Sequence, residues 1–190
     1  MLMKVIIWNV QGAKKSQLQP EVGFITRTIN PDILFLMETM VNEHNTQRII
    51  STLGFRHFDF ILPQNHVGGI WVLWKDDNVL LDDLVKEHRA IHCLVVEKST
   101  NKQCTAVYAK AQIHEKHELC THLNHLSACF SLPWCIMGDF NEMLHSADKI
   151  EGIPLCASKL KCLPDFLSFC NERKANVQGR IFTWKKFLHG

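Results

Sequence analysis

Short apolar runs, each closed by a polar residue or a glycine, constrain this chain more than any other feature: Val5 to Trp8, Ile33 to Met37, Ile70 to Trp74, Cys93 to Val96, Thr105 to Tyr108 and Trp134 to Met137. Runs that are nearly unbroken, rather than alternating, predict strands covered on both faces. The longest, Ile33 to Met37 and Ile70 to Trp74, hold 5 residues. A spanning helix needs about 18 or more apolar residues, so no membrane-crossing segment is expected. The apolar part of Met1 to Asn9 is likewise too short for a secretory leader, and it runs into turn chemistry at Gln11-Gly12. It reads as a strand.

Helical spacing fills the gaps between these runs. Ser16 is placed to cap a helix whose apolar positions Leu18, Val22, Ile25 and Ile29 share one face, and Asn30-Pro31 ends it. A β-α-β unit follows. A second helix is predicted from Thr46 to Leu53, closed by Gly54, and His92 to Tyr108 reads as a hairpin with a polar loop from Lys98 to Lys102. Two more helices are predicted, Ile113 to Phe130 with Leu119, Leu123, Leu126 and Phe130 on its core side, and Lys159 to Asn171 with Leu163, Phe166, Leu167 and Cys170. Arg180 to Trp184 looks like a last strand entering the core. With 190 residues and no repeat or linker, the pattern predicts one α/β domain with a mixed sheet system.

Composition removes several function classes. The 21 Lys and Arg against 19 Asp and Glu leave a net charge of +2, so no global basic field argues for nucleic acid or an anionic membrane. The 8 cysteines lack zinc spacing, and Cys93, Cys129, Cys135, Cys162 and Cys170 sit among apolar neighbours. Buried, reduced thiols and an intracellular protein are expected. His114, His117, His122 and His125 fall opposite the apolar stripe of their helix and read as a solvated face, not a metal cluster. Gly68-Gly69 reads as a tight turn into a strand, and Lys14-Lys15 and Lys185-Lys186 are too short to form a basic patch alone.

The strand ends are more informative. Asn9, Glu38, Tyr108 and Asp139 with Asn141 each follow an apolar run, where functional groups gather in α/β folds. Each alone also suits an ordinary turn. Together, two carboxylates, two carboxamides and a phenol make a hard-oxygen set suited to a magnesium ion and a phosphate, with no nucleophilic Ser or Cys arrangement beside them.

The motifs Ile6-Ile7-Trp8-Asn9-Val10-Gln11-Gly12, Pro31-Asp32-Ile33-Leu34-Phe35-Leu36-Met37-Glu38-Thr39, Val107-Tyr108-Ala109 and Met137-Gly138-Asp139-Phe140-Asn141 resemble, in order and spacing, those of the endonuclease/exonuclease/phosphatase superfamily. Leu132 to Asn141, Lys149-Ile150 and Arg180 to Trp184 resemble more closely the endonuclease domains of plant LINE-type (non-LTR) retrotransposons. The resemblance implies an α/β fold of two mixed β-sheets packed face to face with helices outside. It also implies hydrolysis of a phosphodiester, with Mg2+ or Mn2+ as cofactor, DNA as partner and the nucleus as location. Glu38 and Asn9 would then hold the metal, and Asp139 would orient or deprotonate the attacking water. Asn141 and Tyr108 would contact the phosphate, with Thr183 a further phosphate contact.

The sequence departs from the family at its end. Members carry a further strand with a Ser-Asp-His motif, whereas this sequence reaches Gly190 without one, and His189 follows Leu188. The expectation is one domain over 1–190 that is C-terminally incomplete, with the last strand missing and activity impaired. The alternatives are an inactive retroelement remnant that at most binds nucleic acid or metal, and a phosphatase of the same superfamily. Oligomeric state is left open.

Overall fold

A computed structural model of the chain describes residues 3–75, 79–87, 89–97, 101–109, 113–129, 131–142, 162–176 and 178. They divide between two compact units, one within Met1–Ala109 and Ser131–Asp139, the other within Lys110–Phe130 and Phe140–Gly190. The first unit contains strands β1 (Val5–Asn9), β2 (Ile33–Met37), β3 (His57–Ile61), β4 (Ile70–Trp74), β5 (Val79–Glu87), β6 (Ala90–Glu97), β7 (Asn101–Tyr108) and β8 (Trp134–Asp139), with helices α1 (Leu18–Thr28) and α2 (Glu43–Ile50). The second contains helices α3 (Ile113–Cys129) and α4 (Cys162–Phe169).

The strands form two mixed sheets, ordered β1-β2-β4-β3 and β5-β6-β7-β8. In the first, β1 and β2 are parallel and β4 runs antiparallel to both β2 and β3. In the second, β5, β6 and β7 are successively antiparallel and β8 is parallel to β7. Side chains alternate across a strand, so each unbroken run must supply two apolar faces. Ile33, Phe35 and Met37 of β2 and Ile70, Val72 and Trp74 of β4 meet Ile91, Cys93, Val95, Cys104, Ala106 and Tyr108 of the other sheet in one shared core. The intervening Leu34, Leu36, Trp71 and Leu73 face the other way, onto Leu18 and Val22 of α1 and Ile50 of α2. The sheets therefore pack face to face, with α1 and α2 outside the first.

Several boundaries differ from those read in the sequence, each for a local reason. Helix α1 has Gln17, not Ser16, at its N-cap and no side-chain cap bond. It ends as Asn30 turns left-handed (φ +50), with its N–H donating to the Ile25 carbonyl at 3.3 Å. Helix α2 starts at Glu43, ahead of Thr46, because the Asn42 side chain accepts from the Asn45 N–H at 3.1 Å. It ends at Ile50, before a turn through Ser51 to Leu53, so Gly54 (φ +77) lies beyond the helix. Asn101 and Lys102, expected in the hairpin loop, extend β7 and pair with Val96 and Val95.

In the second unit α3 packs against α4. Leu119, Leu123 and Leu126 are buried and His114, His117 and His125 are exposed, but His122 is half-buried rather than solvated. Leu163 and Phe166 of α4 are buried, while Leu167 and Cys170 are half-buried. Phe130, Lys159 and the expected strand from Arg180 to Trp184 lie outside the described residues. Of the cysteines expected inside, Cys93 is buried, but Cys129 and Cys135 are exposed, because they end α3 and lie on the outermost strand of the described second sheet. Among the described residues no helix is long and apolar enough to cross a membrane.

Phe35 is fully buried between the sheets. Phe35→Ala is expected to cost about 3–5 kcal/mol in urea-induced unfolding, and a loss below about 1 kcal/mol would contradict the shared core.

Candidate active site

Parallel pairing decides where the polar strand ends gather. In a parallel pair both C-terminal ends leave the sheet on the same side. Asn9 is paired with Met37, which puts Asn9 and the next residue, Glu38, at one end of the first sheet. Tyr108 and Asp139 are direct partners at the end of the second. Because the two sheets share a core, these ends meet. Asn9 Nδ2 donates to Asp139 Oδ2 at 3.1 Å across 130 positions of chain, and Glu38 and Asp139 stand close enough to Tyr108 to act on its phenol.

Local backbone features hold each group. Asn9 Oδ1 accepts from the Gln11 N–H at 3.2 Å, an Asx turn that leaves the amide NH2 directed at Asp139. Glu38 adopts a left-handed backbone (φ +53), uncommon for a non-glycine residue, and its carbonyl accepts from the Gly12 N–H at 2.7 Å. The following Thr39 and Met40 N–H groups donate to the Gly69 and Gly68 carbonyls at 3.3 and 3.0 Å. The turn before β4 lies at Asn65-His66, closed by the Gln64–Val67 pair, so Gly68-Gly69, expected to form it, instead follows it and clamps the segment that presents Glu38. Gly138, just before Asp139, has φ +147, and a Cβ there would overlap the Val107 carbonyl oxygen. Only glycine lets β8 approach β7 at this register.

Tyr108 is buried, at 8% exposure, and its ring lies 3.5 Å from where a Gly68 Cβ would stand. Burial pushes its phenol pKa well above the usual value. The nearby Glu38 carboxylate adds to the rise, as does the charge of Asp139, while Arg89 opposes it. Tyr108 is therefore a neutral hydrogen-bond donor at neutral pH, not a base.

Arg89 is the residue that sequence reasoning misses. It is buried at 8% exposure, immediately before β6, and its carbonyl accepts from the Tyr108 N–H at 2.9 Å. It closes no apolar run. Only the antiparallel β6–β7 pairing brings the start of β6 to the end of β7.

The six candidate residues are thus distributed unequally. Asn9, Glu38, Tyr108 and Asp139 come together in the first unit. Asn141 belongs to the second unit, where it is exposed, left-handed (φ +45) and accepts through its carbonyl from Lys116 Nζ at 2.5 Å. Thr183 lies outside the described residues, as do His189 and Lys185-Lys186. Among the described residues no three His, Cys, Asp or Glu side chains converge as a metal cage. Two carboxylates beside a carboxamide still fit a small hard cation, since magnesium is commonly held by one or two carboxylates with water and substrate oxygens completing its shell.

A family model described as the endonuclease/exonuclease/phosphatase family matches residues 6–152. The chain belongs to that family. No curated protein matches it in sequence. Among solved structures it is similar to the AP endonuclease LMAP from Leishmania major (TM-score 0.66, 14% identity, covering 89% of this chain and 67% of that one). It is also similar to the 3′ phosphatase NExo from Neisseria bound to product DNA hairpin (TM-score 0.64, 16% identity, 88% and 71% covered). A third is ANGEL2, a 2′,3′-cyclic phosphatase in complex with adenosine-2′,3′-vanadate (TM-score 0.58, 14% identity, 76% and 55% covered). At such identities the likeness is one of fold, and this chain spans little more than half of ANGEL2.

Tyr108 is the sole tyrosine, so tyrosinate absorbance reports it alone. A phenol whose folded pKa is raised favours folding below the unfolded value of about 10, and that contribution is lost as pH rises toward the folded pKa. Tyrosinate is therefore expected to be absent from the folded protein at pH 10 to 11 and to appear there on denaturation. Half-titration near pH 10 in the folded protein would contradict the burial and the nearness of Glu38.

Proposed function

We propose that the chain is a divalent-metal-dependent phosphodiester hydrolase that nicks DNA, of the retrotransposon endonuclease type, built as one endonuclease domain over 1–190. The observation that carries the reading is the joining of two sheets' strand ends through the Asn9–Asp139 hydrogen bond, with Glu38 beside Tyr108. The resemblance of Leu132 to Asn141 to plant LINE-type endonucleases supports the finer type. DNA bound by the structurally similar NExo supports the substrate. A nuclear location is part of the same proposal.

Glu38, with Asn9, would hold Mg2+ or Mn2+, which supplies positive charge to a phosphate oxygen. Asp139, fixed by the Asn9 amide, takes the proton of the attacking water. Tyr108, kept as a phenol, donates to a non-bridging phosphate oxygen as charge develops there. Asn141 and Thr183 are assigned as further donors to the phosphate. Hydrolysis of this kind asks little covalent chemistry of the protein, so the barrier falls through positioning and through donors fixed in advance. The 190 residues contain no Ser-Asp-His run, so slow nicking is expected of this polypeptide alone.

The test is Mg2+-dependent relaxation of supercoiled plasmid by the 190-residue chain and by a version extended with a family-like C-terminal strand. The extended chain is expected to nick faster, and Glu38→Gln or Asp139→Asn to lower its rate about 100-fold or more. Absence of metal-dependent nicking in the extended chain would overturn the reading, as would nicking unchanged by Asp139→Asn. Release of phosphate from a 3′-phosphorylated hairpin without nicking would reassign the site to a phosphatase.

A further inference from the structure

Three cysteines lie in one row across neighbouring strands of the second sheet. Cys93 of β6 is the direct antiparallel partner of Cys104 on β7, and Cys104 is the direct parallel partner of Cys135 on β8. Residues opposed in an antiparallel pair have Cα atoms about 4.5 or 5.5 Å apart. Adjacent strands of either kind are spaced about 4.7–4.9 Å. All these values fall inside the range of about 4.4–6.8 Å that a disulfide spans. Registered partners also share a face of the sheet. Cys93 and Cys104 both belong to the core between the sheets, and Met137, two positions beyond Cys135, packs against it.

Exposure divides the row. Cys93 and Cys104 are 0% and 1% exposed, whereas Cys135 is exposed. The inner two thiols are neighbours, since Cys93 Sγ donates to the Cys104 carbonyl at 3.5 Å. An oxidant in solution meets only the outer one.

We propose that Cys135 is a surface entry point for oxidation by a peroxide, and that the oxidation passes inward along the row to end as a cross-strand Cys93–Cys104 disulfide. The Cys135 thiolate attacks one peroxide oxygen, forming S–O as O–O breaks and hydroxide leaves, which gives a sulfenic acid. Cys104 gives up its proton and attacks that sulfur, forming the Cys104–Cys135 bond and releasing the hydroxyl as water. Cys93 then attacks Cys104, forming Cys93–Cys104 and expelling Cys135 as a thiolate, which takes back a proton. In sum two thiols are oxidised by two electrons and one peroxide is reduced to two waters. Cys135 is the group expelled because the neighbouring Cys93 thiol and burial raise the Cys104 pKa, and a thiol of raised pKa leaves slowly. The same rise makes Cys104 a poor first target, since the thiolate is the reactive form. The bond staples β6 to β7, the strands whose ends carry Arg89 and Tyr108.

The experiment treats the folded chain with hydrogen peroxide, quenches with an alkylating agent in denaturant and maps cysteine peptides by mass spectrometry. A Cys93–Cys104 disulfide is expected, forming at least 10-fold more slowly in Cys135→Ser and in Cys135→Ala, and at an unchanged rate in Cys129→Ser, which removes another exposed thiol. Circular dichroism of each variant before treatment identifies those that fold. Cys93 and Cys104 both alkylated after Cys135 has been oxidised would overturn the proposal. So would a Cys93–Cys104 disulfide that forms as fast without Cys135 as with it.

Discussion

Burial of β2 and β4 on both faces is the constraint on which the rest of this structure depends. Phe35 and Val72 look into the core shared by the two sheets, while Leu34, Leu36, Trp71 and Leu73 look outward beneath α1 and α2. Neither face is polar enough to be left in water, since a two-sided strand left uncovered would expose side chains worth about 1.5–3 kcal/mol each on burial. The layering of helix, sheet and sheet in the first unit follows from that requirement.

The candidate site is a by-product of the same layering. Stacking two sheets brings β1 alongside β8, and each sheet has a parallel pair whose polar ends leave on one side. The Asn9–Asp139 bond then crosses from one sheet to the other. Tyr108 is caught between Glu38, Asp139 and Arg89, so its proton is held by burial and by two carboxylates against one cation. The site groups are fixed by their strands' ends and by left-handed or glycine backbone at Glu38, Gly68, Gly69 and Gly138. Such fixed donors cost no reorganisation when charge develops on a bound phosphate.

What the sequence discloses tracks how strongly each segment is buried. The bounds of β2 and β4 are legible because every residue in them is buried. β3 escapes notice because His57 and Phe58 are exposed and only its later residues are half-buried, so no apolar run forms. β5 escapes because Leu80 is exposed and the pairing shifts register between Asp82 and Val85, which breaks its pattern in the sequence. Caps depend on side-chain choice among neighbours, so Asn42 displaces the expected start of α2. At the site, residues that close apolar runs are visible one at a time. Arg89 is not, because its relation to Tyr108 exists only once β6 and β7 have paired.

The claim that most directly joins fold to function is that Glu38, with Asn9 at its side, can hold one divalent cation where the two sheets' strand ends meet. Electron paramagnetic resonance of unbound Mn2+ during titration with protein measures this without any turnover. One Mn2+ per folded chain is expected, displaced by excess Mg2+ and bound at least 10-fold more weakly by Glu38→Gln. Stoichiometric binding with the same affinity in Glu38→Gln would place the metal elsewhere and contradict the assignment, as would a Mn2+ signal unaffected by the folded wild-type chain.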